Sequence, residues 1–137
     1  GMNLYRTIVR DMKQRYQLRV RRWRTAMTGA AWQVHYHDGR TIRWIEAPYP
    51  KSPISLAVFL HEAAHHAIGF DRYPLYSEEE YHAWLWALRQ MSHYGIEPDD
   101  RVRRRAERSV QYAVQKDFRR GIRHFPITLK RFLPDAA

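Results

Sequence analysis

His61-Glu62-Ala63-Ala64-His65 sets two imidazoles and a carboxylate within five residues, and Glu80 follows fifteen residues after the second histidine. Residues four apart on a helix lie about 40° apart around the axis and one turn along it. Both imidazoles can then reach one small cation, with Glu62 projecting beside them. Two neutral imidazoles and one carboxylate suit zinc and leave a fourth position for water. Glu62 would be the general base that takes a proton from that water. The plain alternative is a pair of hydrogen-bonded core histidines with a glutamate at the rim. The surroundings weigh against it. Ile54-Ser55-Leu56-Ala57-Val58-Phe59-Leu60, with Ala63, Ala64, Ala67 and Ile68, is apolar nearly all round, so the helix is buried. Two histidines and a glutamate on a buried helix are costly without partners.

A third ligand must come from elsewhere. Glu80 is the first candidate, Glu79 the second and His82 the third. Ser77-Glu78-Glu79-Glu80 opens a helix, and Ser77 with Glu80 also spells a capping box that needs no metal. The acidic triplet suits a helix N-terminus on dipole grounds alone. Glu80, Ala83, Trp84, Ala87 and Met91 nevertheless share one helical face, which turns to the core and carries Glu80 inward. His82 falls on roughly the opposite side. His66, Tyr73 and Tyr76 are candidates for the cleft around the centre, as polar groups near a developing oxyanion. His66 fits a supporting or surface position equally well.

The helix motif resembles that of the zincin metallopeptidases, and within them the gluzincin type, whose third ligand is a glutamate on a following helix. Glu80, Ala83, Trp86 and Ala87 are similar to the pattern around that glutamate. The helix motif is also similar to that of the small ImmA/IrrE-like peptidases, which act on bacterial repressor proteins. The likeness covers roughly residues 40–92. It implies zinc, hydrolysis of a peptide bond in a protein substrate, and an antiparallel edge strand that holds the substrate by strand addition. It leaves the basic flanks unexplained.

The elements that must position these groups follow from periodicity. Leu4, Tyr5, Ile8, Val9, Met12, Tyr16, Val20, Trp23 and Met27 step by three or four, which predicts one basic helix over 3–27, ended by Thr28-Gly29. Trp32–Tyr36 and Thr41–Ile45 alternate around Asp38-Gly39, which predicts a hairpin with a two-residue turn. Glu46-Ala47-Pro48-Tyr49-Pro50 should break the sheet. Ser52 and Pro53 start the metal helix and Gly69 caps it. A second basic helix is expected over 99–123, with Val102, Ala106, Val110, Ala113, Val114 and Phe118 on its inner face. Phe132 and Leu133 would lay the tail back on the body.

The totals bound the partners. The chain has 137 residues and 45% hydrophobic residues, enough for one folded domain over 2–137, with Gly1 before Met2 taken as a cloning scar. A net charge of +10, nearly all of it arginine, favours acidic partners: nucleic acid or an acidic protein. Trp23 and Tyr112 lie among the bases and are candidates for stacking on nucleotides. The absence of cysteine fits a reducing compartment, the cytoplasm. No run reaches membrane-spanning length. The expectation is therefore an α+β, helix-dominated, zincin-like domain with a small antiparallel hairpin beside the metal helix. Its rival is a basic nucleic-acid- or protein-binding module with a structural or vestigial zinc site.

Overall fold

Helix α1 (Met2–Tyr16) ends where Gln17 takes a left-handed conformation, φ 55°, and the chain turns into strand β1 (Leu18–Arg24). The single helix expected over 3–27 is therefore a helix and a strand. The physical reason lies in a bulge. β1 runs parallel to β3 (Thr41–Pro48), with Val20 opposite Ile45 and Arg22 opposite Glu46, so Arg21 is an extra residue. That insertion shifts the two-residue alternation and returns Trp23 to the face of Leu18 and Val20. The spacing of Val20 and Trp23 then mimics a helix. On the opposite face, Arg21 and Arg24 both pair with Glu46 of β3. The two guanidinium groups hold the Glu46 carboxyl below the usual carboxylate range.

The hairpin forms as expected, from β2 (Ala30–His35) and β3. Its loop is one residue longer than a two-residue turn. Tyr36 and Arg40 close it, the Gly39 amide donates to the Tyr36 carbonyl at 3.0 Å, and Gly39 takes φ 90°. This is the three-residue loop with glycine in the left-handed position. Strand β3 also continues through Glu46, Ala47 and Pro48 instead of breaking there, because β1 supplies a second pairing partner. The sheet is thus mixed, in the order β1-β3-β2, and not a lone antiparallel hairpin.

Helix α2 (Pro53–Ile68) packs on β3. Ser52 and Ser55 form a reciprocal capping box at its start, Pro53 takes the first position, and Gly69 follows its end at φ 98°. Leu56, Ala57, Phe59, Leu60, Ala63 and Ala64 are fully buried. Burying such a helix on both faces supplies much of the core, at about 25 cal/mol per Å² of apolar surface. Helices α3 (Tyr76–His93) and α4 (Asp100–Arg119) complete the body. The tail folds back as a 3-10 helix (Ile127–Phe132) that buries Leu129 and Phe132, with Leu133 partly buried beside them. The computed structural model describes residues 2–134, and among these the chain is α+β: four α-helices, one 3-10 helix and one three-stranded sheet. Gly1 and the last three residues of the tail lie outside them. No described helix is long and apolar enough to cross a membrane.

Helix α3 starts differently from its sequence signal. Its N-cap is Leu75, which offers no side-chain acceptor, and the Ser77–Glu80 capping box does not form. The buried carboxylate of Asp117, on α4, instead accepts from the Ser77 amide at 2.9 Å. A carboxylate at a helix N-terminus satisfies an orphan donor and complements the dipole. It also frees Glu80 to turn inward. Asp117→Ala should lower stability by about 1–2 kcal/mol, the usual worth of a lost cap, read as a shifted urea midpoint at unchanged slope. An unshifted midpoint would contradict this role.

Candidate metal centre

His61 and His65 project from one face of α2, and Glu80 meets them from the first turns of α3. Glu80 Oε2 lies 3.0 Å from His61 Nε2, and Glu80 Oε1 lies 3.1 Å from His65 Nε2. One ligand atom from each of the three residues fits within 4.8 Å of the others, and all three residues are buried. Ligands about 2.0–2.2 Å from a tetrahedral ion sit about 3.4 Å from one another. The observed separations are close to that edge length, so the cluster can hold a metal ion with small ring adjustments. Of the three candidates for third ligand, the arrangement brings in Glu80.

Glu79 and His82 have other places. Glu79 Oε2 accepts from His65 Nδ1 at 2.7 Å. A carboxylate on the far ring nitrogen fixes the imidazole's tautomer and orientation and leaves Nε2 to face Glu80. His82 stacks on Tyr73 at 4.2 Å, away from the cluster. The His61 ring lies flat on Trp84, 4.3 Å between centroids, which fixes its plane. Trp84 in turn sits on the face of α3 that Ala83 and Ala87 keep close to the core.

Glu62 is buried beside the cluster, with Oε2 3.3 Å from His61 Nδ1. Gly29 holds it there. A Cβ on Gly29 would lie 2.6 Å from Glu62 Cγ and 2.7 Å from both Glu62 Oε2 and the Glu46 carbonyl. No side chain fits in that gap, so glycine lets the chain entering β2 cover Glu62. Thr28-Gly29 has the composition of a helix end, and nothing in the sequence signals this close approach.

The cluster opens into a cleft of about 680 Å³. One wall is the loop and first residues of β2, from Thr28 to Ala31, at an outer edge of the sheet. The opposite wall is α4, through Arg105, Arg108, Ser109 and Tyr112. The basic C-terminal helix is therefore part of the cleft and not only a flank. Arg105 Nη1 donates to the Met27 carbonyl at 2.6 Å, tying α4 to the segment before β2. Its half-buried guanidinium is pulled down by desolvation, against the opposing pull of Glu62 and Glu80. Tyr76 lines the cleft as expected, and burial together with Glu80 pushes its hydroxyl up to about 12. His66 and Tyr73 do not line it. His66 Nε2 donates to the Trp44 carbonyl at 2.9 Å and pins α2 to β3, and burial lowers its pKa. Trp23 lies on β1 and not on a helix among the bases, whereas Tyr112 is on α4 in the cleft.

No protein family, curated protein or solved structure matches this chain, so its geometry and chemistry carry the assignment.

The charges within the metal-free cluster fix a pH dependence. Burial on its own would lower the His65 pKa, but Glu79 and Glu80 overcome it and raise it to about 10. The same contest raises His61, through Glu62 and Glu80. Glu80 is held well below the usual carboxylate range: burial would raise it, and the two imidazoles prevail. A raised histidine stabilises the fold fully below its unfolded value near 6.5, and that contribution is lost as pH rises toward about 10. A depressed Glu80 contributes above about 4.5 and is lost as pH falls. Metal binding needs neutral imidazoles and so strengthens with pH. Chelator-treated protein should therefore melt at a lower temperature at pH 9.5 than at pH 6, and His65→Gln should flatten that fall. A wild-type profile as flat as the variant's would contradict the assignment.

Proposed function

We propose that the protein is a zinc-dependent peptidase of the zincin type that cleaves a peptide bond in an extended segment of a protein. The observation that carries this reading is the convergence of His61, His65 and Glu80 on one point at the base of an open cleft, with Glu62 at its side. A structural zinc site is normally closed by four protein ligands. Three ligands facing a cleft suit chemistry better. The resemblance of residues 40–92 to small gluzincins points the same way and suggests a regulatory protein as substrate.

A zinc ion held by His61, His65 and Glu80 would make water nucleophilic near neutral pH and polarise the scissile carbonyl. Glu62 then takes the proton of the attacking water and delivers it to the leaving nitrogen as the amine departs. Its confinement against Gly29 keeps the carboxylate aimed at that position. Glu79 keeps His65 oriented throughout. The Tyr76 hydroxyl, neutral at any physiological pH, is a hydrogen-bond donor for the developing oxyanion. The outer edge of β2 offers main-chain groups to an extended segment, as in strand addition. Arg108 and Tyr112 on the opposite wall favour a segment with an acidic side chain. The expected place of action is the cytoplasm, in keeping with a chain that has no cysteine.

Glu62→Gln tests this directly. It should keep one zinc per chain and lower hydrolysis of a denatured protein substrate by at least about 100-fold, the usual scale of general-base loss. An unchanged rate in Glu62→Gln would refute the peptidase reading and leave zinc as a structural element of a basic interaction module.

A further inference from the structure

A second concave surface lies away from the metal cleft, and none of its lining residues serves the chemistry above. It is a groove of about 630 Å³ between α1 and β1, floored by Val9 and Leu18. Arg6, Arg10 and Lys13 stand along its helical wall, all exposed, and no carboxylate lines it. Among the described residues none of the three cations makes an ion pair, whereas Arg21 and Arg24 on the same strand as Trp23 are paired with Glu46. Positions i, i+4 and i+7 share one helix face, with rises of about 6 Å and about 4.5 Å between them. This is a row of free cations, not a scattered charge.

The other wall is aromatic. Trp23 and Tyr49 are 38% and 37% exposed, with ring centroids 4.8 Å apart at 67° to one another. Trp23 rests on the buried Phe59 of α2, centroids 6.0 Å apart with the ring planes at 29°, so the indole is backed by the core. The two rings meet edge to face, so together they present one continuous aromatic surface on this wall. Here they adjoin a row of unpaired cations in a chain of net charge +10. Phosphates meet the cations and flat bases meet the rings. A groove that tracks a charged backbone beside a stacking platform is how unpaired strands are held without sequence readout. An acidic polypeptide would use the cations and leave the aromatic wall idle.

We propose that the groove between α1 and β1 binds single-stranded nucleic acid, with Arg6, Arg10 and Lys13 on phosphates and Trp23 and Tyr49 stacking on bases. The proposal stands on residues outside the metal centre and does not depend on the peptidase reading. It gives the basic N-terminal segment a role in bringing a nucleic-acid-associated substrate to the enzyme, or in localising the chain by itself.

The test is fluorescence anisotropy of a labelled 20-nucleotide oligothymidine with the whole chain, from 50 to 200 mM salt, alongside a 20-base-pair duplex and polyglutamate as competitor. The wild-type protein should bind the single strand with steep salt dependence. Arg6→Ala/Arg10→Ala/Lys13→Ala should make the log–log salt slope shallower by about 2, at about 0.7 per phosphate contact. Tyr49→Ala should weaken binding roughly tenfold at every salt concentration. Trp23→Ala should do the same, and Tyr49→Ala keeps the stacking arm readable if loss of the Phe59 contact unfolds the Trp23 variant. The charge-matched control Arg101→Ala/Arg104→Ala/Arg119→Ala, on exposed positions of α4, should leave the Tyr49 effect intact. Absence of binding at 50 mM salt would overturn the proposal. So would equal loss in the α1 and α4 triple variants with none in Tyr49→Ala, which would mean net charge alone. Displacement by polyglutamate at matched charge with no aromatic effect would assign the groove to an acidic protein instead.

Discussion

The Glu80 carboxylate lies between two imidazoles, all three buried at the base of the cleft, and the rest of the structure is arranged around that contact. Burying one carboxylate and two titratable rings costs several kcal/mol per charge unless each is paired. The sequence supplies the pairing from two helices. Glu79 takes the free nitrogen of His65, Glu62 sits against the free nitrogen of His61, and Trp84 stacks beneath the His61 ring. Helix α3 packs directly on α2, and its fully buried Ala83 and Ala87 present minimal side chains to the core. Its first turn is held not by its own serine but by Asp117 from α4. The three helices are thus fastened to one another at the point where the cluster forms.

The sheet serves the same centre from the other side. His66 pins α2 to β3 through the Trp44 carbonyl, which sets how far the metal helix stands from the strands. Gly29 then lets the chain entering β2 close over Glu62. Arg105 reaches across from α4 to the Met27 carbonyl just ahead of that glycine. The result is a cleft with His61, His65, Glu80 and Glu62 at its base, one strand-edge wall and one basic wall. The proposed chemistry needs each of these parts: a ligand set, a base held in position, and a track for an extended chain.

Much of the centre was legible in the sequence because its determinants are local. The i, i+4 histidines, the Ser52–Pro53 start and the Gly69 stop each act within one helix, and the structure has them as read. Glu80 was legible through the apolar face it shares with Ala83, Trp84 and Ala87. Apart from the hairpin loop, one residue longer than its Asp38-Gly39 signal, the failures come from contacts between elements. The helix over 3–27 broke at Gln17 because strand β1 gains a parallel partner more than twenty residues away, and the Arg21 bulge disguised its alternation. The Ser77–Glu80 box was displaced by an aspartate forty residues later in the chain. His66 and Tyr73 were drawn out of the cleft by the Trp44 carbonyl and the His82 ring. The roles of Gly29, Arg105 and Arg108 depend on what the fold brings opposite them, so no spacing rule could name them.

The central claim is that His61, His65 and Glu80 bind one metal ion, and elemental analysis after exhaustive dialysis tests it most directly. Wild-type protein should retain about one zinc per chain, and His65→Ala, folded by circular dichroism, should retain none. Wild-type protein that holds no metal even after zinc is added back, or a His65→Ala variant that holds as much as wild type, would contradict the account.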